Sequence, residues 1–502
     1  MKKIYIILLL AAFNLQSCKE FLNVKPRDTR VIKNIEDYRD LLAPFMSQMK
    51  IPNAWSYVWG DYYKAPWDPS IPKLLPGYIG EIQHTRDFNQ ANGGLTDSYK
   101  DFYNWRDPST SVLWTKLYSL IGPFNMIIDE IRTAEGNDEA LRNQVRGEAL
   151  YWRAYCFFKL VQYYSPYKNN ELGVPVFLDT HIDAVNGNQS RKTQQEAYAQ
   201  IISDCKEGLR LLTLTNPKVS WNFAYKPSAF HALLAAVYHY KAMSGAAEES
   251  DWTNAVNHAS EAMLGRHLTQ NPQDIQDMFD LFEPKENLEN DEFDLRVIKN
   301  SFAGTNIFGT FIELYGGQPI DNYNRNWVAV PEIYQMYTDT DIRKKLYFTD
   351  HSPYSPYICN NKYRQSEFRS WNGGGLIMPF RLAELYLIKA EALTMSNQLS
   401  EARKVMEDFV TSRYTAAVNI PSGKDEFLQM VYTERKKEFL HEWDINFLDM
   451  KRLQKRYERN IRGINFVIEG DAFQYTFPIP NQEIQNNPNI DVNNPGWDNI
   501  VQ

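Results

Sequence analysis

The sequence predicts a mostly α fold, in which paired helices form a scaffold carrying long irregular loops and a small β-hairpin near the C-terminus. Three observations predict it. From Trp114 onward, apolar residues recur at steps of three and four. Small residues mark the places where helices would meet. Between the periodic blocks, Gly, Pro, Asn and aromatic residues crowd together. The composition, 43% apolar and 23% charged, is that of a globular chain. A length of 502 residues suffices for about three domains of ~150 residues.

The longest helix is the clearest. Leu141, Val145, Ala149, Trp152, Cys156, Leu160 and Tyr163 make one continuous apolar face. The spacing predicts further helices over 193–212, 227–243, 252–264, 381–396, 400–414, 424–442 and 446–459. Pro227 opens its helix at a tolerated first-turn position. Ala232, Ala235, Ala236 and Ala242 on one helix, and Ala255, Ala259 and Ala262 on the next, permit close approach. Tetratricopeptide-like helical pairs stack in this way, although the spacing here is too irregular for a strict repeat array. Irregular stretches remain at roughly 48–110, 165–190 and 265–378, and loops that long are usually functional. Near the C-terminus, segments 464–468 and 474–479 flank Glu469-Gly470-Asp471, a hairpin pattern.

The N-terminus reads Met1-Lys2-Lys3 and then an apolar run from Ile4 to Phe13. A basic start with about ten apolar residues is the layout of a secretory signal and is too short to span a bilayer. Leu15-Gln16-Ser17-Cys18 follows and resembles the bacterial lipoprotein box, in which the signal (residues 1–17) is removed and Cys18 is acylated. Two or more acyl chains anchor a protein stably. The expected mature chain is lipid-tethered and carries no spanning segment.

Charge and cysteine content exclude several classes. Acidic residues outnumber basic ones, 62 to 54, which disfavours a nucleic-acid binder. Four cysteines in this length are not a disulfide scaffold; Cys156 and Cys205 fall in helices and Cys359 in a loop, none at metal-ligand spacing. His441-Glu442 begins like a zinc-protease motif, but Ile445 stands where the second histidine is needed. The remaining histidines are scattered, with His231 and His239 on helix faces as packing or surface residues. No nucleophile elbow or phosphate loop occurs, and Gly373-Gly374-Gly375 reads as a flexible loop. We expect no catalytic residue, no metal and no cofactor.

Aromatic residues are the positive signal: 12 Trp, 31 Tyr and 27 Phe make up 14% of the chain. Trp55, Tyr57, Trp59, Tyr62, Tyr63 and Trp67 are dense enough to be a packed subcore. Tyr99, Phe102, Tyr103 and Trp105 precede the Trp114 helix. Tyr315, Tyr323 and Trp327 alternate with Gln318, Asp321, Asn322, Asn324, Arg325 and Asn326, and Trp371 sits in Ser370-Trp371-Asn372-Gly373. A sugar ring presents an apolar C–H face to an aromatic plane, and its hydroxyls need planar donors and acceptors such as Asn, Asp, Gln and Arg. The candidate glycan site is therefore Tyr103, Trp105, Tyr315, Tyr323, Arg325, Trp327 and Trp371. Trp114 belongs to the scaffold.

Several motifs together carry a resemblance. Cys18-Lys19-Glu20-Phe21-Leu22 with Pro26 is followed by Trp114-x-x-Leu117-Tyr118-x-x-Ile121-x-x-x-Asn125. Next come Arg146-Gly147-Glu148-Ala149-x-x-x-Arg153-Ala154-Tyr155 and Gly173-Val174-Pro175-Val176. Pro379-Phe380-Arg381-Leu382-Ala383-Glu384-Leu385-Tyr386-Leu387-x-x-Ala390-Glu391-Ala392 is the most specific. Glu434-Arg435-Lys436-x-Glu438, Asp449-x-Lys451-Arg452, Phe477-Pro478-Ile479-Pro480 and Asn494-Pro495-Gly496-Trp497 complete the series. In this order they resemble the RagB/SusD family of nutrient-uptake lipoproteins. Two departures stand out: Trp443-Asp444-Ile445-Asn446 replaces the family's Gly-x-Arg, and the usual Arg-x-Arg repeat is absent after Tyr414.

The resemblance implies a lipoprotein signal over 1–17, an N-terminal region over 18–225 and a C-terminal region over 226–502, forming one compact fold. It implies a non-enzymatic outer-membrane lipoprotein, lipid-anchored and facing the cell exterior. Such a protein binds oligosaccharides and passes them to a SusC-like TonB-dependent transporter, the expected partner. The motif charges read as scaffold ion pairs, with Arg153 and Glu148 able to pair across a helix turn or between helices. The resemblance is regional, not residue by residue, for the aromatic site. Two alternatives stay open: capture of peptides by the same scaffold, and a secreted helical glycoside hydrolase, which needs two carboxylates about 5–9 Å apart across a cleft.

Overall fold

The computed structural model describes residues 32–48, 82–84, 111–180, 189–214, 227–275, 327–329, 331–350, 358–360, 380–440, 445–461, 464–490 and 492–497. Helix α1 spans Ile35–Gln48, α2 Ser111–Glu130 and α3 Glu139–Tyr164. The Asp138 carboxylate caps α3 by accepting from the Leu141 amide at 3.0 Å. Helix α4, Gln194–Thr213, opens with a capping box: the Thr193 side chain accepts from the Glu196 amide, and Glu196 accepts back from the Thr193 amide. Helices α5 (Pro227–Lys241) and α6 (Asp251–Met263) follow.

These helices pack in chain order, α2 on α3, α3 on α4, α4 on α5 and α5 on α6. Close approach has a local cause where α3 meets α4. A Cβ on Gly208 would stand 2.4 Å from the Phe230 ring and 3.2 Å from the Gly147 carbonyl oxygen, so only glycine fits. The apolar face predicted for α3 understates its burial. Every residue from Gly147 to Tyr164 is buried, including Glu148, Arg153, Lys159 and Gln162. A helix covered on all sides is the core of its fold, and its polar groups must find partners inside.

Two short helices, α7 (Pro331–Gln335) and α8 (Ile342–Tyr347), lie in the next stretch. The stack then resumes. Helix α9 (Leu382–Met395) packs directly on α6, and α10 (Leu399–Thr411) and α11 (Lys424–Glu438) pack on α9. Apolar, alanine-rich faces thus continue one scaffold across the long interruption. The predicted mostly α architecture of packed helical pairs stands.

Four short strands occupy stretches expected to be irregular: β1 (Ile82–His84), β2 (Trp327–Ala329), β3 (Phe348–Asp350) and β4 (Ile358–Asn360). Cys359 is therefore in a strand rather than a loop. β1 pairs with β2 and β3 with β4, both antiparallel.

The last predicted helix is too long. Helix α12 covers Ile445–Arg452 and stops before Gln454, whose φ of 49° is left-handed and cannot continue a helix. Residues 457–459, expected in that helix, begin strand β5 (Tyr457–Ile461), which pairs antiparallel with β6 (Ile464–Ile468) from Tyr457↔Ile468 to Ile461↔Ile464. The hairpin is thus present with a different partner strand. The segment expected to pair, 474–479, instead starts in a 3₁₀ turn over Phe473–Tyr475. From there it serves the core: the Phe477 amide donates to the Tyr163 carbonyl at 2.8 Å. Asn494 Nδ2 donates to Tyr164 at 2.8 Å, and Lys451 Nζ donates to the Gln162 and Ser165 carbonyls at 2.7 and 2.9 Å. The Gln162, Tyr163 and Tyr164 carbonyls at the end of α3 are thus met by the C-terminal region, and the Val161 carbonyl by the Ser165 amide. A final helix, α13, spans Asn481–Asn486.

Candidate functional site

Of the expected glycan-site residues, Tyr103, Trp105, Tyr315, Tyr323, Arg325 and Trp371 lie outside the described residues, as do Cys18, the 55–67 aromatic cluster and His441-Glu442. Trp327 opens β2, where its Cα is paired with that of His84; Gln83 pairs with Val328 and Ile82 with Ala329. β2 also lies beside β4. Backbone pairing therefore joins the stretch between the first two aromatic clusters to the end of the Tyr315–Trp327 cluster, and β4, on the segment leading toward Trp371, lies nearby in a separate sheet with β3. Trp114 is buried, with Nε1 3.4 Å from Glu483 Oε2, as expected of a scaffold residue.

A cleft of about 380 Å³ opens on the scaffold after α3. Val176, Phe177 and Leu178 supply its apolar side. Asp179, Gln189, Lys192, Glu196 and Gln200 supply the polar one. The cleft wall continues an extended segment fastened at the carbonyls of Gly173, Val174, Pro175 and Phe177. Gly173 accepts from Arg191 Nε at 2.9 Å, Pro175 from the Tyr118 hydroxyl at 2.8 Å, and Phe177 from Asn125 Nδ2 at 3.0 Å. Val174 accepts from the Lys192 amide at 3.2 Å, and the Gly173 amide donates to the Lys192 carbonyl at 2.9 Å. The Tyr118 and Phe177 rings meet edge to face at 5.6 Å.

Behind this wall the motif residues form a chain of contacts. Arg153 donates from one nitrogen to Asn125 Oδ1 at 2.9 Å and from two others to Asp204 at 2.8 and 2.6 Å. Gln200 Nε2 reaches the same carboxylate at 2.7 Å. Burial pushes Asp204 upward, and the Arg153 guanidinium opposes that shift. Arg153 thus pairs with Asp204 on α4, not with Glu148 as expected; residues five apart on a helix do not share a face. Glu148 accepts from Gln144 instead. Burial lowers Arg191 to about 10, which leaves it cationic at neutral pH.

The other motif charges are scaffold pairs, as expected. Arg381 donates to Glu438 at 2.9 Å, Arg413 binds the same carboxylate, and Arg435 donates to Asp449 at 2.8 Å. Burial pushes Glu384 up to about 7, opposed chiefly by Arg435 at 3.8 Å. A raised carboxyl is the mark of a catalytic acid, but Glu384 sits in the core and does not line the cleft. Within the cleft, Glu196 is shifted the other way, held down by the Thr193 amide and hydroxyl. That favours a fixed hydrogen-bond acceptor over a proton donor. Among the described residues, no three His, Cys, Asp or Glu side chains converge as metal ligands.

Sequence reasoning missed the cleft. Its signals were present as Gly173-Val174-Pro175-Val176, read only as a family motif, and as the Thr193-x-x-Glu196 capping box, which was not read. Among the described residues, no helix is long and apolar enough to cross a membrane.

Relatives place this arrangement. Residues 72–239 match a family described as starch-binding and associating with the outer membrane, and residues 349–497 match the SusD family. SusD-like protein P2 of Formosa agariphila is 27% identical over 473 residues, covering 85% of this chain and 88% of that one. SusD-like protein P38 of the same organism is 24% identical, covering 88% and 90%. Among solved structures, a SusD superfamily protein from Bacteroides thetaiotaomicron superposes with a TM-score of 0.70 at 19% identity, over 92% of this chain and 100% of that one. A SusD-like carbohydrate-binding protein from Bacteroides vulgatus gives 0.68 at 17%, over 91% and 98%. At such identities the structures speak for the fold alone, and the sequence matches carry the rest: the chain belongs to the SusD family, whose members are associated with the outer membrane.

Proposed function

We propose that this chain is a non-enzymatic cell-surface lipoprotein, anchored through Cys18, that binds oligosaccharides and delivers them to a SusC-like TonB-dependent outer-membrane transporter. The observation that supports the reading is the His84–Trp327 pairing within a SusD-family scaffold, because it sets the end of the Tyr315–Trp327 cluster against a strand that lies in sequence between the other two aromatic clusters. Tyr103, Trp105, Tyr315, Tyr323, Arg325, Trp327 and Trp371 are the proposed sugar contacts. Stacking platforms have few rotatable bonds and lose little entropy on ordering. The Bacteroides vulgatus relative described as carbohydrate-binding points the same way.

Calorimetry against a panel of oligosaccharides and peptides tests this. Trp327→Ala and Trp105→Ala should each lose about 2 kcal/mol, roughly thirty-fold in affinity, with melting temperature preserved. A lower melting temperature with unchanged affinity in both variants would return these residues to the core. Binding of peptides alone would replace the ligand class, and shortened glycan chains after incubation would make the protein a hydrolase.

A further inference from the structure

We propose that the cleft beside α4 is a second contact for the same ligand, taking a short run of uncharged sugar units; the assignment of sugar rests on the function proposed above. At about 380 Å³ the cleft falls in the range of small-molecule pockets, roughly 300–1,000 Å³. Three features of its wall specify what it accepts.

The first is rigidity. The carbonyls of Gly173, Val174, Pro175 and Phe177 are each held by a donor from elsewhere in the chain. The Gln189 carbonyl likewise accepts from Asn487 Nδ2 at 2.9 Å. The lining residues Phe177 and Gln189 are thus held in place, which reduces the ordering required on binding. At those two positions the anchoring also removes backbone acceptors that an extended peptide would use in strand addition.

The second feature is amphipathic lining. Leu178 is 38% exposed and forms, with Val176 and Phe177, an apolar strip suited to the C–H face of a sugar. The same lining carries side chains that suit hydroxyls, the acceptor carboxylates of Asp179 and Glu196, the Lys192 ammonium, and the amides of Gln189 and Gln200. Gln200 spends an N–H on Asp204, which orients its amide.

Charge is the third. The described lining residues carry two carboxylates, Asp179 and Glu196, and one ammonium, Lys192, so an anionic sugar meets a net like charge from them and an uncharged one does not.

The test uses the full mature chain. Maltohexaose, cellohexaose, xylohexaose and a galacturonic acid hexamer are titrated against the unaltered protein, Lys192→Ala, Gln189→Trp and Trp327→Ala. Gln189→Trp fills the cleft from its rim, and Lys192→Ala only trims it. For the neutral hexasaccharide bound best, both cleft variants should weaken binding, Gln189→Trp by tenfold or more, with unchanged melting temperature. Full affinity in Gln189→Trp together with loss in Trp327→Ala overturns the cleft and leaves the function standing. Tightest binding of the galacturonate hexamer, lost in Gln189→Trp, overturns the uncharged specificity. If the unaltered protein binds none of the hexasaccharides, the function and the cleft assignment fall together.

Discussion

Arg452 grips Glu391 through two hydrogen bonds, of 2.6 and 2.9 Å, and so ties α12 to α9 inside the core. Both side chains are fully buried, and His239 Nε2 stands 2.8 Å from the second Glu391 oxygen. Burial alone would push Glu391 up, but Arg452 and His239 pull it well below the usual carboxylate range. Arg452→Met leaves an underpaired buried carboxylate and should cost about 3–5 kcal/mol. Urea unfolding midpoints measure this; a cost under about 1 kcal/mol would show that water or a neighbour replaces the guanidinium.

The same cluster gives the fold a sensitivity to acid. Burial, aided by Arg452 and opposed by Glu391, lowers His239 from 6.5 to about 4. Between those values the unfolded chain binds the proton and the native chain does not, so stability falls as pH drops through this window. At pH 5 the His239 contribution is about 2 kcal/mol below that at pH 7. Melting temperatures at the two pH values should differ less in His239→Gln than in the unaltered protein.

Gly173 holds the cleft wall against its neighbour. A Cβ there would lie 2.5 Å from the Lys192 carbonyl oxygen and 2.7 Å from the Thr193 carbonyl carbon, both backbone atoms. Gly173→Ala should therefore destabilise by about 1–3 kcal/mol, read from chemical denaturation. A neutral outcome would mean that the segment shifts freely, which contradicts its anchored carbonyls.

Cys18→Ala should release the protein from the membrane fraction and leave its melting temperature unchanged, since a covalent lipid contributes about 0.8 kcal/mol per buried CH₂ to membrane affinity. Fractionation in cells lacking the transporter separates the anchor from the partner. Membrane retention there would overturn the lipid anchor.

The helical frame was legible because its periodicity is strong. The expected 193–212 helix is Gln194–Thr213 and the expected 252–264 helix is Asp251–Met263. Boundaries failed where one residue decided them, as at Gln454, whose left-handed backbone ends α12. The hairpin partner failed for a related reason: Tyr457 and Ile468 share a buried face across the pair, while helix periodicity had claimed Tyr457. The cleft was illegible because it is made of long-range pairings. Nothing in local spacing announces that Asn125 holds Phe177 or that Arg153 reaches Asp204. The aromatic clusters were visible as chemistry, and the pairing of Trp327 with His84 was not, since a three-residue strand such as Trp327–Ala329 has no periodicity to read.

Helix α9 takes its place on α6 although it begins at Leu382 and α6 ends at Met263. The chain between is an insert stitched to the frame at named points: Arg343 on α8 donates to Glu438 at 3.1 Å, and the Tyr337 hydroxyl donates to the Lys437 carbonyl at 2.8 Å, both on α11. Doubling the length of such an insert changes its closure entropy by only about 0.6 kcal/mol, far less than a single buried ion pair is worth to this core when broken. Chain between such anchors can therefore be lengthened or rewritten at little thermodynamic penalty while the anchored frame stays the same.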